Sequence, residues 1–129
     1  MKAKIYEIKQ FTEIYDKIKD TTLPIKLGYR LAKLAAQAQK EMEIYQSQLQ
    51  KLILDYGARD ENGELVHTED GQGIKIKEDK LEECQEKINE LSTLEIDLGV
   101  EPISLDMFDD DVKLSIDEIK CLSPFLDEE

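Results

Sequence analysis

The sequence predicts a mainly helical α+β protein built on a long antiparallel helical hairpin, with a small β-hairpin at its tip and a small α+β patch formed by the two termini. Three observations carry this reading. First, Leu31, Ala35, Ala38, Met42, Tyr45, Leu49, Leu52 and Tyr56 recur at alternating spacings of four and three, an uninterrupted 3.5-residue repeat that draws one apolar seam along a helix. Second, 40% of the residues are hydrophobic and 36% charged, the balance of long helices with solvated outer faces. Third, after Ser92 the apolar period changes from 3.6 to 2, so the last part of the chain turns from helix to short strands.

The elements follow in order within one expected domain, 1–129. In its first part, 1–57, Ala3 and Ile5 suit a short opening strand, and Ile8, Phe11, Tyr15 and Ile18 then fall at helical spacing, predicting an amphipathic helix from about Glu7 to Lys19. Asp20, Thr21 and Thr22 interrupt it, and Pro24 biases Leu23 away from helical angles. The long helix starts near Ile25 and ends at Gly57, which suits a left-handed position after Tyr56. If about 30 residues are helical, the seam runs roughly 45 Å. A seam of that length needs a cover: another helix of this chain, a second copy, or a different protein. Small residues crowd its first half (Gly28, Ala32, Ala35, Ala36 and Ala38), where another backbone can approach closely.

The segment 58–77 is rich in turn residues, with extended pieces at Glu64 to Val66 and Ile74 to Lys77, and reads as a hairpin. In 78–92, Leu81, Cys84, Ile88 and Leu91 mark a return helix from about Glu78. It is long enough to cover only about half of the seam, leaving the Leu31 end the less covered one, and the C-terminal α+β patch is expected to gather with the first strand and helix over that open end. In 93–129, Leu94, Ile96 and Leu98 alternate with Glu95 and Asp97 as a strand, Ile103 and Leu105 continue beyond Pro102, and Val112 with Leu114 suggests one more strand. Ser115 and Glu118 have capping-box spacing. They open a helix through Ile116, Ile119, Leu122 and Leu126 that Pro124 interrupts.

The 30 acidic and 17 basic residues give a net charge of −13, which disfavours direct binding to nucleic acid. The charge is lopsided. The first 33 residues hold more Lys and Arg than Asp and Glu, whereas Asp109, Asp110, Asp111, Asp117, Glu118, Asp127, Glu128 and Glu129 fall in the last 21. An acidic patch of Asp109, Asp110, Asp111, Asp127, Glu128 and Glu129 reads either as a solubilising surface or as one that meets a basic partner. No signal-peptide core or run of about 18 apolar residues occurs, so neither secretion nor membrane insertion is indicated.

Chemistry-bearing motifs are scarce. Cys84 and Cys121 lie 37 positions apart without a CxxC pair, and His67 is the one histidine, so a thiolate zinc site cannot be assembled. Both cysteines fall at apolar helix positions and read as small hydrophobes. Asp60, Asn62 and Gly63 imitate a calcium loop, but the residue five before Gly63 is Ala58, where a ligand is required. Asp109 to Asp111 diverge on any backbone and need further ligands to hold a divalent ion. His67 lies near Glu64, Glu69 and Asp70 without a nucleophile, a second histidine or an oxyanion donor set. Gly71 and Gly73 lead toward a strand instead of a helix N-terminus, against a phosphate cradle. No catalytic, cofactor or metal site is therefore expected. Tyr6, Tyr15, Tyr29, Tyr45 and Tyr56 read as packing residues with wet hydroxyls, unless the seam is intermolecular, when Tyr45 and Tyr56 become interface anchors.

The block LPIKLGYRLAKLAAQAQKEMEIYQSQLQKLILDYGARDENGEL, the piece GIKIK and the ending ISLDMFDDDVKLSIDEIKCLSPFL resemble a family of small proteins of unassigned function encoded by tailed phages and prophages of low-GC Gram-positive bacteria. The resemblance spans most of the chain and implies a phage origin, in the host cytoplasm or the virion; it transfers no site residues. The expected role is a non-enzymatic accessory or virion-associated protein that works through a protein partner, with self-assembly into a homo-oligomer as one form. Its expected interface is Leu31, Ala35, Ala38, Met42, Tyr45 and Leu49. The competing reading is an inhibitor of a host defence system whose acidic patch imitates nucleic acid. No membrane or direct nucleic-acid partner is expected.

Overall fold

The computed structural model describes residues 1–109 and 112–127. Its elements run β1 (Lys2–Lys4), α1 (Ile5–Ile18), α2 (Ile25–Tyr56), a 3-10 turn Glu78–Lys80, α3 (Leu81–Ser92), β2 (Glu95–Asp97), β3 (Ile103–Ser104), a 3-10 turn Leu105–Met107, α4 (Ile116–Leu122), a 3-10 turn Ser123–Phe125 and β4 (Leu126–Asp127). The protein is mainly helical α+β. It divides into two compact units, one of Met1–Glu43 with Leu94–Glu129, the other of Ile44–Thr93.

In the first unit, α1 exists because Ile5, Ile8, Phe11, Ile14 and Ile18 recur on one face, and all five are buried. The Lys4 N–H at its start donates to Glu7 Oε1 at 2.9 Å, satisfying a group that the helix leaves unpaired. Phe11 is fully buried, with its ring 5.8 Å from Tyr15 and 5.1 Å from Phe125, so α1 and the chain's last turns share one aromatic cluster. The first half of α2 adds Leu27, Leu31, Leu34 and Ala38 to the buried set. Thr12, Tyr15 and Asp16 of α1 face Ala32, Ala35 and Ala36 across a shallow groove of about 320 Å³, a place where alanine lets another helix come near.

Two short ladders tie the termini into this unit. β1 pairs antiparallel with β2, Ala3 opposite Ile96. The ladder extends through Ile5 N–H to the Leu94 carbonyl and Leu98 N–H to the Met1 carbonyl. β3 pairs in parallel with β4, Ile103 opposite Leu126. Ser115 caps α4 as its spacing predicts: its hydroxyl accepts from Glu118 N–H, and the Glu118 carboxylate accepts from Ser115 N–H at 2.8 Å.

Two strand and helix expectations are corrected here. Val112 and Leu114 form no strand; they line an apolar groove. Leu126 leaves the helix for β4, because Pro124 stops α4 and turns the chain into a 3-10 turn first.

The second unit holds the rest of α2, a loop knot and α3. Three isolated bridges organise the loop: Gly57 with Ile76, Arg59 with Leu65, and His67 with Ile74. Asp60 Oδ1 accepts from the N–H groups of Asn62 and Glu64, which closes the turn expected there. Lys77 N–H donates to the Tyr56 carbonyl at 2.9 Å, so the chain returns to the point where α2 ended before α3 begins. Cys84 is the buried side chain of α3, and burial raises its thiol pKa. Both cysteines are free.

Gly57 does not take the left-handed conformation expected of it, since the positive-φ glycines are Gly63, Gly71 and Gly99. It is glycine because of crowding. A Cβ there would lie 2.7 Å from Leu65 Cδ2, 2.8 Å from the Ile53 carbonyl oxygen and 3.1 Å from Ile74 Cγ2. Gly57→Ala is therefore expected to cost about 1–3 kcal/mol by overpacking, seen as a lower urea midpoint, whereas Gly28→Ala, which meets nothing within 4 Å on a helix, should stabilise by about 0.4–1 kcal/mol.

Two exposed carboxylates give the fold an acid dependence. Asp97 is held below the ordinary carboxylate range by the Gly99 N–H at 3.0 Å and then by the Met1 ammonium. Asp70 is lowered by the Thr68 hydroxyl and the Gln72 N–H. A lowered folded-state pKa contributes stability that is fully present above the unfolded-state value and lost as pH falls through the folded-state value. Urea midpoints measured from pH 5 downward should therefore decline less steeply in Asp97→Asn than in the parent chain.

Candidate functional site

The structure closes most of the seam. Leu31 is 1% exposed, Ala38 and Met42 are buried, Tyr45 is 9% exposed and Ala35 is half-buried. Leu49, Leu52 and Tyr56 are each half-buried. The Leu31 end, expected to be the less covered one, is thus the more deeply buried. The half of α2 beginning at Ile25 shares its unit with α1 and the C-terminal elements, which the helical period of α3 alone could not reveal. A side chain with no accessible area cannot dock a partner without first leaving the core.

The acidic patch lies largely beyond the described residues: Asp110, Asp111, Glu128 and Glu129 fall outside them. Asp109 and Asp127 are exposed and each already has an interaction. Among the described residues no group of three His, Cys, Asp or Glu side chains is placed to hold a metal ion, and no helix is long and apolar enough to cross a membrane. His67 is exposed in the loop of the second unit, its backbone bridged to Ile74.

What the first unit does expose is apolar surface that the seam pattern does not contain. Ile25 is 90% exposed and Tyr29 67% exposed at the start of α2, and with Met107 they line an open hollow of about 560 Å³ edged by Lys26, Arg30 and Lys33. Lys26, Arg30 and Lys33 lie at i, i+4 and i+7, one flank of the helix. Arg30 reaches Glu101 at 3.6 Å; among the described residues Lys26 and Lys33 enter no ion pair. The first turn of α2 carries no acidic residue, although the helix dipole favours carboxylates there.

A second exposed surface lies around α4. Leu105, Phe108, Val112, Leu114, Ile119 and Leu122 line an apolar groove of about 260 Å³, and Ile116 stands 74% exposed one turn from Ile119. Charges of both signs, Asp106, Lys113, Asp117 and Lys120, all exposed, adjoin these apolar residues in the chain. The two surfaces meet at the 3-10 turn Leu105–Met107, whose first residue lines the groove and whose last lines the hollow. Sequence reasoning missed both. A signal was present in Ile25 and Tyr29, which lie four apart but off the register of the Leu31 seam, so the helix carries a second apolar strip beside the first. No family model, curated protein or solved structure matches this chain.

Proposed function

We propose that this is a non-enzymatic phage accessory or virion-associated protein that acts by protein–protein contact, through the exposed apolar surface of its first unit. The observation that carries the reading is that Ile25 and Tyr29, among the most exposed large apolar groups of the described residues, adjoin through the turn Leu105–Met107 a groove lined by Leu105 and Ile119. Exposed apolar area with charge at its edge, as at Ile25 and Tyr29 beside Lys26 and Lys33, is the ordinary signature of a contact surface. The phage assignment is supported by the resemblance of the long-helix block and the C-terminal block described above.

The test uses Tyr29→Asp and Ile116→Asp, substitutions at exposed positions that leave the core intact, in the phage or prophage carrying the gene. Both variants should melt within a few degrees of the parent, because surface changes alter stability by about 0.5 kcal/mol, while the yield of infectious particles falls. Unchanged yield with both variants refutes the reading. A loss that appears instead on neutralising the acidic residues, and a partner interaction that collapses as salt rises, would favour the acidic nucleic-acid mimic, because charge-driven contacts are screened and apolar ones are not.

A further inference from the structure

We propose that Asn62 is a site of spontaneous covalent modification, its carboxamide closing onto the Gly63 backbone nitrogen to give a succinimide that water opens to aspartate and isoaspartate. The site belongs to the second unit and is independent of the contact reading above.

Ring closure needs an asparagine carboxamide that is free to turn and a following residue without a side chain. Both conditions hold here. Asn62 is exposed, and among the described residues its carboxamide enters no hydrogen bond. Gly63 is exposed at φ +78°, and a Cβ built on it would meet nothing within 4 Å, leaving the space beside its Cα open. The nitrogen forms its new bond to Asn62 Cγ as the Cγ–Nδ2 bond breaks, and ammonia leaves with the proton that the Gly63 N–H gives up. Water then adds to one of the two ring carbonyls. Addition at Cγ restores the Gly63 N–H and leaves aspartate. Addition at the main-chain carbonyl also restores the N–H but leaves the chain running through the side-chain carbon, as isoaspartate. No oxidant or reductant is needed, and either product adds one negative charge to the −13 of the sequence.

The surrounding turn sets the pace. Gly63 N–H donates to the Asp60 carbonyl at 3.0 Å, and Asp60 Oδ1 accepts from the N–H groups of Asn62 and Glu64, so the nitrogen is released only when this exposed turn opens. The chain's other candidates are held more firmly. Asn89 lies within α3, is followed by Glu90, and its carboxamide oxygen accepts from Gln85 Nε2 at 3.4 Å. Asp70 precedes Gly71, but its carboxylate accepts from the Thr68 hydroxyl and the Gln72 N–H, which keeps it charged and a poor target for attack. Isoaspartate at position 62 lengthens the backbone by one carbon inside the turn that sets Arg59 opposite Leu65 and brings Arg59 Nη1 to the Gly63 carbonyl at 2.8 Å.

The experiment is peptide mapping by mass spectrometry on the full chain, kept for weeks near physiological temperature in mildly acidic and mildly alkaline buffer. The peptide holding Asn62 should gain one mass unit and split into aspartyl and isoaspartyl forms. Conversion should quicken about tenfold per pH unit, because the deprotonated amide is the nucleophile. Asn62→Gln, whose longer side chain closes a larger ring less readily, should slow it at least about tenfold. Asp60→Ala, which frees the turn, should speed it about 3- to 10-fold; circular-dichroism melts confirm that both variants fold. In the isoaspartyl chain, isolated by chromatography, the Asp60 and Val66 amides, which donate to the Glu64 and Ala58 carbonyls at 2.9 Å, should exchange hydrogen at least about tenfold faster. An unconverted Asn62, faster conversion at Asn89 or Asp70, an Asp60→Ala chain that reacts no faster, or unchanged exchange in the isoaspartyl chain would each overturn the assignment.

Discussion

Truncating Phe11 to alanine is expected to destabilise the first unit by about 3–5 kcal/mol, the cost of losing a buried ring and leaving a cavity behind. The side chain is fully buried and touches two aromatic neighbours, Tyr15 on its own helix and Phe125 near the C-terminus. It therefore holds together segments more than a hundred positions apart in the chain. Phe11→Leu, which keeps most of the volume, should recover part of the loss. Urea unfolding followed by circular dichroism measures both. Because a domain of this size has only about 5–15 kcal/mol in hand, Phe11→Ala should unfold well before the parent. A shift of its midpoint worth less than about 1 kcal/mol would show that α1 is not anchored through this ring.

Leu31→Glu separates the two possible meanings of the seam. Were Leu31 an intermolecular contact, the variant would stay folded and merely dissociate. Since Leu31 is 1% exposed within a single chain, the substitution instead removes a buried aliphatic group and forces a carboxyl into the core. The expected penalty is about 4 kcal/mol or more. The first unit should lose its cooperative transition at or near room temperature, and Leu31→Ala should cost about 2–5 kcal/mol. A Leu31→Glu chain that melts like the parent but has halved its mass would restore the seam to the surface and remove the basis for placing the contact at Ile25 and Tyr29.

The contrast between Leu31 and Tyr29, two residues apart on α2, shows where sequence reasoning reached its limit. The 3.5-residue repeat located an apolar stripe correctly, and the boundaries of α2 and the capping box at Ser115 follow from local rules: side-chain spacing, a proline before, a glycine after, a hydroxyl three residues ahead of a carboxylate. Coverage of the stripe is a different kind of quantity. It depends on what lies across from it, and the unit that buries Leu31 is assembled from both ends of the chain, Met1–Glu43 with Leu94–Glu129. The same holds for Gly57, whose identity is explained locally by helix termination but is set in the fold by Leu65, Ile74 and the Ile53 carbonyl.

Which segments are helical, which faces are apolar and how lopsided the charge is can all be read along the chain, because each is written in spacings of a few residues or in composition. Which apolar groups are covered and which remain in water emerges with the folded chain. That distinction moved the candidate surface from the Leu31 seam to Ile25, Tyr29 and the groove beside α4. The physical reason is that burial is a relation between segments distant in the chain, and its free energy is settled by the neighbours that long-range packing supplies.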